Sequence, residues 1–215
     1  VGAAMDIVTA TNDGEFLDAY RQAGTPLCAF LPNFCDPDVH RRYYVEDRWR
    51  SDLLWTGKTR HGVEESDTLR QKIVDSLATR AGARVYGCLE RDKIGGIEYL
   101  YAISGTRIGV SINAINTVRL YHSDRFTHYA AGGPLVLAKR VPDTDLLFQD
   151  GVHVKYFDTA EEFLELAEWF LAHEDERRRI ADAGMEHAHQ FYNTTTIAGY
   201  LLDLAEKGRY DAPWT

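Results

Sequence analysis

Asp52-Leu53-Leu54-Trp55-Thr56-Gly57-Lys58-Thr59-Arg60 is a short apolar run that ends on a glycine and turns at once into basic, polar sequence. A run of this kind reads as a buried strand entering a loop. The residues after it repeat the alternation. Over 67–81, Leu69, Ile73 and Leu77 recur at helical spacing. A strand is predicted over 84–89, a helix over 96–104 and a strand over 107–112. A short helix over 124–131 stops at Gly132-Gly133, a buried strand covers 134–138, a turn or two of helix 143–148, and a strand 152–157. Strands alternating with helices predict βαβ units and a parallel sheet. The expected fold class is therefore α/β, a doubly wound, Rossmann-like parallel sheet of about five strands with a helical C-terminal tail.

The tail is the most strongly patterned part. Thr159-Ala160-Glu161-Glu162 has the form of a capping box. Phe163, Leu166, Ala167, Phe170 and Leu171 then make one apolar stripe. Two more helices are predicted, over 174–189 and 194–206. In the other direction, strand 6–10, helix 14–22 and strand 26–31 run into Pro32-Asn33-Phe34-Cys35-Asp36-Pro37, a stretch with linker chemistry. The predicted division is 1–45, the end of a preceding domain plus linker, and 46–215, the Rossmann-like domain. Val1 is not a start methionine, and the expectation is that the chain starts in mid-protein.

Composition sets the function classes. The 215 residues are 45% hydrophobic and 27% charged, an ordinary globular profile. The net charge of -9 argues against a nucleic-acid partner, which would want a basic face. No apolar run approaches the ~20 residues that cross a bilayer. Three cysteines, Cys28, Cys35 and Cys88, are too few and too odd for a disulfide framework, so a reducing cytoplasm is expected. Cys28 and Cys88 sit in apolar runs and are expected in the core.

Open parallel sheets bind ligands at the carboxyl ends of their strands, where the winding reverses. Two junctions of that kind stand out. At the first, Gly57 lets a ligand approach the backbone and Lys58 and Arg60 add charge, although the same residues also read as a plain polar loop. The spacing of a Walker loop is absent. Gly87 and Cys88 follow another strand end and are expected to flank a base. At the second junction, Ser123-Asp124-Arg125-Phe126-Thr127 opens a helix, whose free N–H groups and partial positive charge suit a phosphate. Ser123 or Asp124 also reads as a simple N-cap, and Arg125 as a partner for a phosphate or for a surface carboxylate. His187 and His189, two apart on a helix, do not share a face and make a poor metal pair.

From Ser123 through Thr196 the ordered set of segments resembles the C-terminal, donor-binding domain of GT-B glycosyltransferases, most closely the group-1 type often named CgeB-like after spore maturation proteins. Ala130-Ala131-Gly132-Gly133-Pro134-Leu135-Val136 resembles the family's A-x-G-x-P-V-V turn. Asp145 to Gly151 resembles the helix and glycine turn after the next strand. Thr159 to Leu171 resembles the acidic-start helix, and Glu176 to Gly184 the E-x-R-x-x-I-A-x-x-G helix. The resemblance implies transfer of a sugar from a nucleotide diphosphate sugar, a UDP- or GDP-sugar, to an acceptor the sequence does not name. It implies no required metal or other cofactor. It also implies an N-terminal GT-B domain as partner, carrying the catalytic base of inverting members and the acceptor site. Donor contacts would come from Gly57, Lys58, Gly87, Cys88, Ser123, Asp124, Arg125, Phe126 and Thr127. One departure stands out: Thr127 occupies the place of a glutamate that holds the donor's ribose, and Arg119 a place where relatives carry an acidic residue. The other readings of this fold are a non-catalytic nucleotide-binding or scaffold module and a sugar-nucleotide epimerase.

Overall fold

A computed structural model describes residues 5–60, 62–212 and 214. Its larger sheet has five strands, β3 (Ser51–Thr56), β4 (Ala83–Tyr86), β5 (Thr106–Ser111), β6 (Leu135–Lys139) and β7 (Lys155–Phe157), all parallel in the order β4-β3-β5-β6-β7. Ahead of it, β1 (Ile7–Ala10) and β2 (Leu27–Phe30) form a two-stranded parallel sheet joined by α1 (Glu15–Gln22). The helices between the larger sheet's strands are α2 (Glu64–Ala78), α3 (Gly96–Gly105) and α4 (Asp124–Gly132). The tail is α5 (Ala160–Ala172), α6 (Glu174–Phe191) and α7 (Thr194–Lys207).

Side chains leave a strand on alternate faces, so each strand feeds two cores. Leu53 and Trp55, Ile108 and Val110, Leu135 and Leu137, and Phe157 meet α2 and α5. Leu54, Val136, Ala138 and Tyr156 meet α3, α4 and the last helices. Both faces are covered, which is why these strands read as continuous apolar runs. Tyr129 of α4 is fully buried on the second face, with its ring against Gly109 and its hydroxyl 2.8 Å from Thr56 Oγ1. A Cβ at Gly109 would strike that ring at 2.5 Å, so glycine here makes room for the aromatic.

Some boundaries move for local reasons. The strand predicted over 152–157 shortens to β7 because Val152 and His153 fold back onto Gln149 O at 3.2 and 3.0 Å. The one predicted over 84–89 stops at Tyr86, since Gly87, Leu89 and Glu90 take positive φ. The capping box is real: Thr159 Oγ1 accepts from Glu162 N at 3.1 Å, while Glu162 reaches one residue further back, to Asp158 N at 2.6 Å.

The linker after β2 is not slack chain. Cys35 N donates to Tyr192 O and Thr194 N to Cys35 O, at 2.8 and 2.9 Å. Asn33 Nδ2 donates to His122 O at 2.5 Å, and His40 stacks on His128 with ring centres 3.9 Å apart. Arg119 pairs with both Asp13 and Asp143, at 2.5 and 2.6 Å, tying the strand–helix–strand unit to the larger sheet. Of the three cysteines it is Cys35, beneath the proline turn, that is fully buried; Cys28 and Cys88, expected in the core, are half-buried.

His122, 2% exposed, shapes the response to acid. Burial pushes its imidazole down to about 4, against weaker opposition from the carbonyls around it. The unfolded chain takes up this proton near pH 6.5 and the folded chain does not, so stability is full above that pH and falls as pH drops toward 4. At about 1.4 kcal/mol per pH unit, His122 alone is expected to remove about 2 kcal/mol between pH 6.5 and 5. Urea unfolding at the two pH values checks this, and His122→Gln should flatten the dependence.

Candidate functional site

The chain passes from β3 outward to β4 and then back past β3 to β5, so the winding reverses between β3 and β5. Loops leaving the carboxyl ends of those strands diverge there and leave a crevice. A cavity of about 250 Å³ opens at this point. Five of the residues singled out from sequence line it: Gly57, Lys58, Gly87, Asp124 and Arg125. Sequence reasoning missed the other wall, made of Thr56, Tyr86, Lys93, Ile94 and Tyr99. Lys93 and Ile94 lie in the loop between β4 and α3, where composition alone shows only polar chain. Burial raises the Tyr99 phenol far above its ordinary range, so it stays protonated and available as a donor.

Arg125 is the centre of the arrangement. Its Nη1 donates to Thr56 O, at the end of β3, and its Nη2 to Ile112 O just past the end of β5, the latter at 3.0 Å. The guanidinium lies over the Trp55 ring, 4.9 Å from its centre. One planar fork thus bridges the two strands whose separation defines the crevice. Gly57 is required beside it: its φ is +124°, and a Cβ there would sit 2.6 Å from Arg125 Nη1. Gly87, at φ +81°, packs against the Gly57 backbone.

Behind this fork stands a second arginine. Arg70 of α2, 2% exposed, donates to the same Ile112 oxygen through Nε and Nη2, at 3.3 and 2.8 Å. Burial, then the charge of Arg125, pushes it down to about 10. The Asp67 carboxylate stands 3.8 Å from Arg70 Nη1, too long for a hydrogen bond. Arg70 Nη1, Arg125 Nε and Ser123 Oγ are buried polar atoms without a partner. Two guanidiniums therefore converge on one carbonyl beside the crevice. The signal for Arg70 was available only in three dimensions, because in sequence it is one more charged residue of a helix.

The remaining expected residues fall elsewhere. Ser123 is the N-cap of α4 by position, makes no side-chain cap, and has its N–H held by Asn113 Oδ1 at 2.9 Å. The N–H of Arg125 is taken by the Asp124 carboxylate at 2.7 Å, so the first turn of α4 offers fewer free amides than its position in sequence implied. Cys88 lies behind the wall, where burial pushes its thiol up. Phe126, expected as a donor contact, is instead core, 4% exposed and packed on Phe148. Thr127, expected at the ribose, is instead fully buried, with its hydroxyl donating to Asn33 O at 3.2 Å. Thr127 points from α4 toward the linker and Phe126 packs between His122 and Phe148, while Asp124 and Arg125 occupy the face toward the crevice. Among the described residues no group of three or more His, Cys, Asp or Glu is placed to hold a metal ion.

The architecture has solved counterparts. The Anabaena protein HepE, crystallised with UDP and glucose, superposes with a TM-score of 0.68 at 12% identity, over 93% of this chain and 62% of its own. Sucrose-phosphate synthase from Thermosynechococcus elongatus gives 0.62 at 13% identity, over 96% and 60%. A glycosyltransferase from Rickettsia africae gives 0.66 at 8% identity, over 94% and 63%. At such identities the likeness establishes the fold, and the chain spans about three fifths of the length of these proteins. No curated protein matches it. The sequence profile described as glycosyl transferase-like matches residues 65–203, from α2 into the last turns of α7 and well over half of the chain. With the match running over well more than half of its length, the chain belongs to the glycosyl transferase-like family.

Proposed function

We propose that this chain is the donor-side part of a glycosyltransferase, transferring a sugar from a UDP- or GDP-sugar to an acceptor bound largely by another domain. The observation that carries the reading is the crevice between β3 and β5. Arg125 lines it with Arg70 behind on the same Ile112 carbonyl, and its walls carry Lys58 and Lys93 on loops that can reach a diphosphate. Loss of a nucleoside diphosphate is the costly part of the reaction, and cations fixed where that charge develops lower its barrier. In this arrangement Arg125 positions the crevice, while Lys58 and Lys93 supply the charge that meets phosphate. Asp124, an exposed carboxylate on the same wall, is the acceptor left for ribose or sugar hydroxyls now that Thr127 is committed to the linker. No metal is needed for these roles.

The reading assigns residues 1–45 to the end of an N-terminal GT-B domain and its linker, and 46–215 to the donor domain. An isolated two-stranded parallel sheet is marginal in water, which fits β1 and β2 as part of a larger sheet. Three unpaired cysteines fit a reducing compartment such as the cytoplasm, and no helix among the described residues is long and apolar enough to cross a membrane.

Thermal unfolding with UDP, GDP and ADP tests the proposal. A matched nucleotide near 100 times its dissociation constant should stabilise the chain by about 2.7 kcal/mol. Lys58→Ala and Lys93→Ala should each weaken that nucleotide about tenfold, the worth of one charge-assisted contact of about 1.4 kcal/mol. No shift with any nucleotide points to a scaffold module. Conversion of nucleotide sugar without an acceptor points to an epimerase.

A further inference from the structure

At the other end of the larger sheet, about 20 Å from the crevice along the six residues of β3, the strands begin among arginines. Two adjoining cavities, of about 440 and 450 Å³, open beside Ser51 at the start of β3 and Arg107 at the start of β5. Arg50, Arg107, Arg177 and Arg178 line both or the inner one, and Arg42 lines the outer. Against these five cations stand four carboxylates: Asp52, Glu174 and Asp182 in the lining, and Asp47, whose Oδ1 lies 3.1 Å from Arg50 Nε. The excess of one positive charge is local, since the chain as a whole carries -9.

Asp182 serves Arg42 at 2.6 Å and Asp52 serves Arg107 at 3.2 Å, but the inner carboxylate is overcommitted. Glu174 is shared three ways: 2.6 Å from Arg178, 3.5 Å from Arg107 and 3.8 Å from Arg177. Arg177 is the costly member. Its side chain is 8% exposed, and its one hydrogen bond is from Nη1 to Arg107 O at 3.2 Å. Its Nε has no partner, and neither does Ser51 Oγ in the same wall. A buried guanidinium without a close carboxylate is expensive, and an unpaired buried donor adds to that cost. An anion entering the inner cavity would relieve both.

We propose that this arginine-lined cavity binds a phosphate dianion, free or as the ester of a small metabolite, at a site separate from the donor crevice. Such a group brings negative charge to a cluster in which the cations still outnumber the carboxylates. Its three terminal oxygens can take forks from Arg50 and Arg178, which are each 66% exposed at the mouth, and meet Arg107 deeper in. A cavity of this volume accepts a phosphorylated sugar as readily as the bare ion.

The test is calorimetric titration of the whole chain with inorganic phosphate and, in parallel, with a hexose phosphate. The double variant Arg50→Ala/Arg178→Ala removes two exposed side chains and leaves the half-buried Arg107 and the buried Arg177 in place. It should weaken binding at least tenfold, while Lys58→Ala, in the crevice, should leave it unchanged. Tighter binding of the hexose phosphate than of phosphate identifies an ester as the occupant; equal binding identifies the free ion. The proposal is overturned if the wild-type chain binds neither ligand, if the double variant binds as well as wild type, or if Lys58→Ala abolishes binding.

Discussion

Arg125→Ala is expected to remove about 2–3 kcal/mol of stability and to weaken nucleotide diphosphate binding by at least tenfold. Both effects come from one side chain because it closes two gaps at once. The fork holds Thr56 O and Ile112 O, the backbone oxygens on either side of the winding reversal. Hydrogen bonds from a charged donor are worth roughly 1.5–3 kcal/mol each, and water entering the vacated space recovers part of the loss. Removing the fork also frees β3 and β5 to drift, and Lys58, which follows directly on Gly57, moves with the end of β3. Arg125→Lys separates the two contributions. It keeps the charge but reaches only one carbonyl at a time, so it should recover much of the affinity and little of the stability. Urea unfolding and nucleotide titration of the two variants check this. Unchanged stability in Arg125→Ala would show that the crevice does not depend on the fork.

The same residue marks the limit of what sequence can show. Gly57 and Arg125 were both singled out in sequence, because a strand ending on glycine and a polar helix start follow from local pattern, and both line the crevice. That they touch was not legible. Arg125 bonds Thr56 O across 69 positions, which sets it beside Gly57, and only the strand order β4-β3-β5 brings them together. Arg70 and Lys93 were missed for the same reason: nothing in a helix face or a polar loop announces that its cation reaches the end of a strand. Thr127 shows the opposite case, a residue singled out in sequence that does not line the crevice. Its place in the motif put it at the ribose, but the helix carries Asp124 and Arg125 toward the crevice, and two residues further on the side chain faces the linker, where Asn33 O takes its hydroxyl. The fold itself was legible nearly throughout, since strands buried on both faces and helices with apolar stripes leave strong periodic traces. The discrepancies fall at turns such as 87–90 and 149–153, where backbone geometry outweighs side-chain pattern.

Gly184→Ala is expected to cost more stability than any other single methyl addition to the larger sheet's surroundings, about 3 kcal/mol or more. In sequence Gly184 closes the pattern that begins at Glu176, and an exposed glycine inside an 18-residue helix would cost only about 1 kcal/mol relative to alanine. On propensity alone the substitution should therefore stabilise. The structure reverses the sign. A Cβ on Gly184 would fall far inside the closest approach to His153 O, a backbone atom of the turn before β7. A flexible side chain could move aside, but this carbonyl belongs to the turn in which His153 N bonds Gln149 O at 3.0 Å and Gly151 N bonds Val154 O at 2.8 Å. The turn and α6 must separate, and α6 carries Ile180 and Ala181 into one core and Ala188 into the other. Gly199→Ala in α7, where nothing lies within 4 Å of the added atom, is the matched control and should raise stability by a few tenths of a kcal/mol to about 1 kcal/mol. Denaturant unfolding of both variants decides the point: if the two shift the midpoint in the same direction, the contact between α6 and the 149–153 turn is not what fixes a glycine at 184.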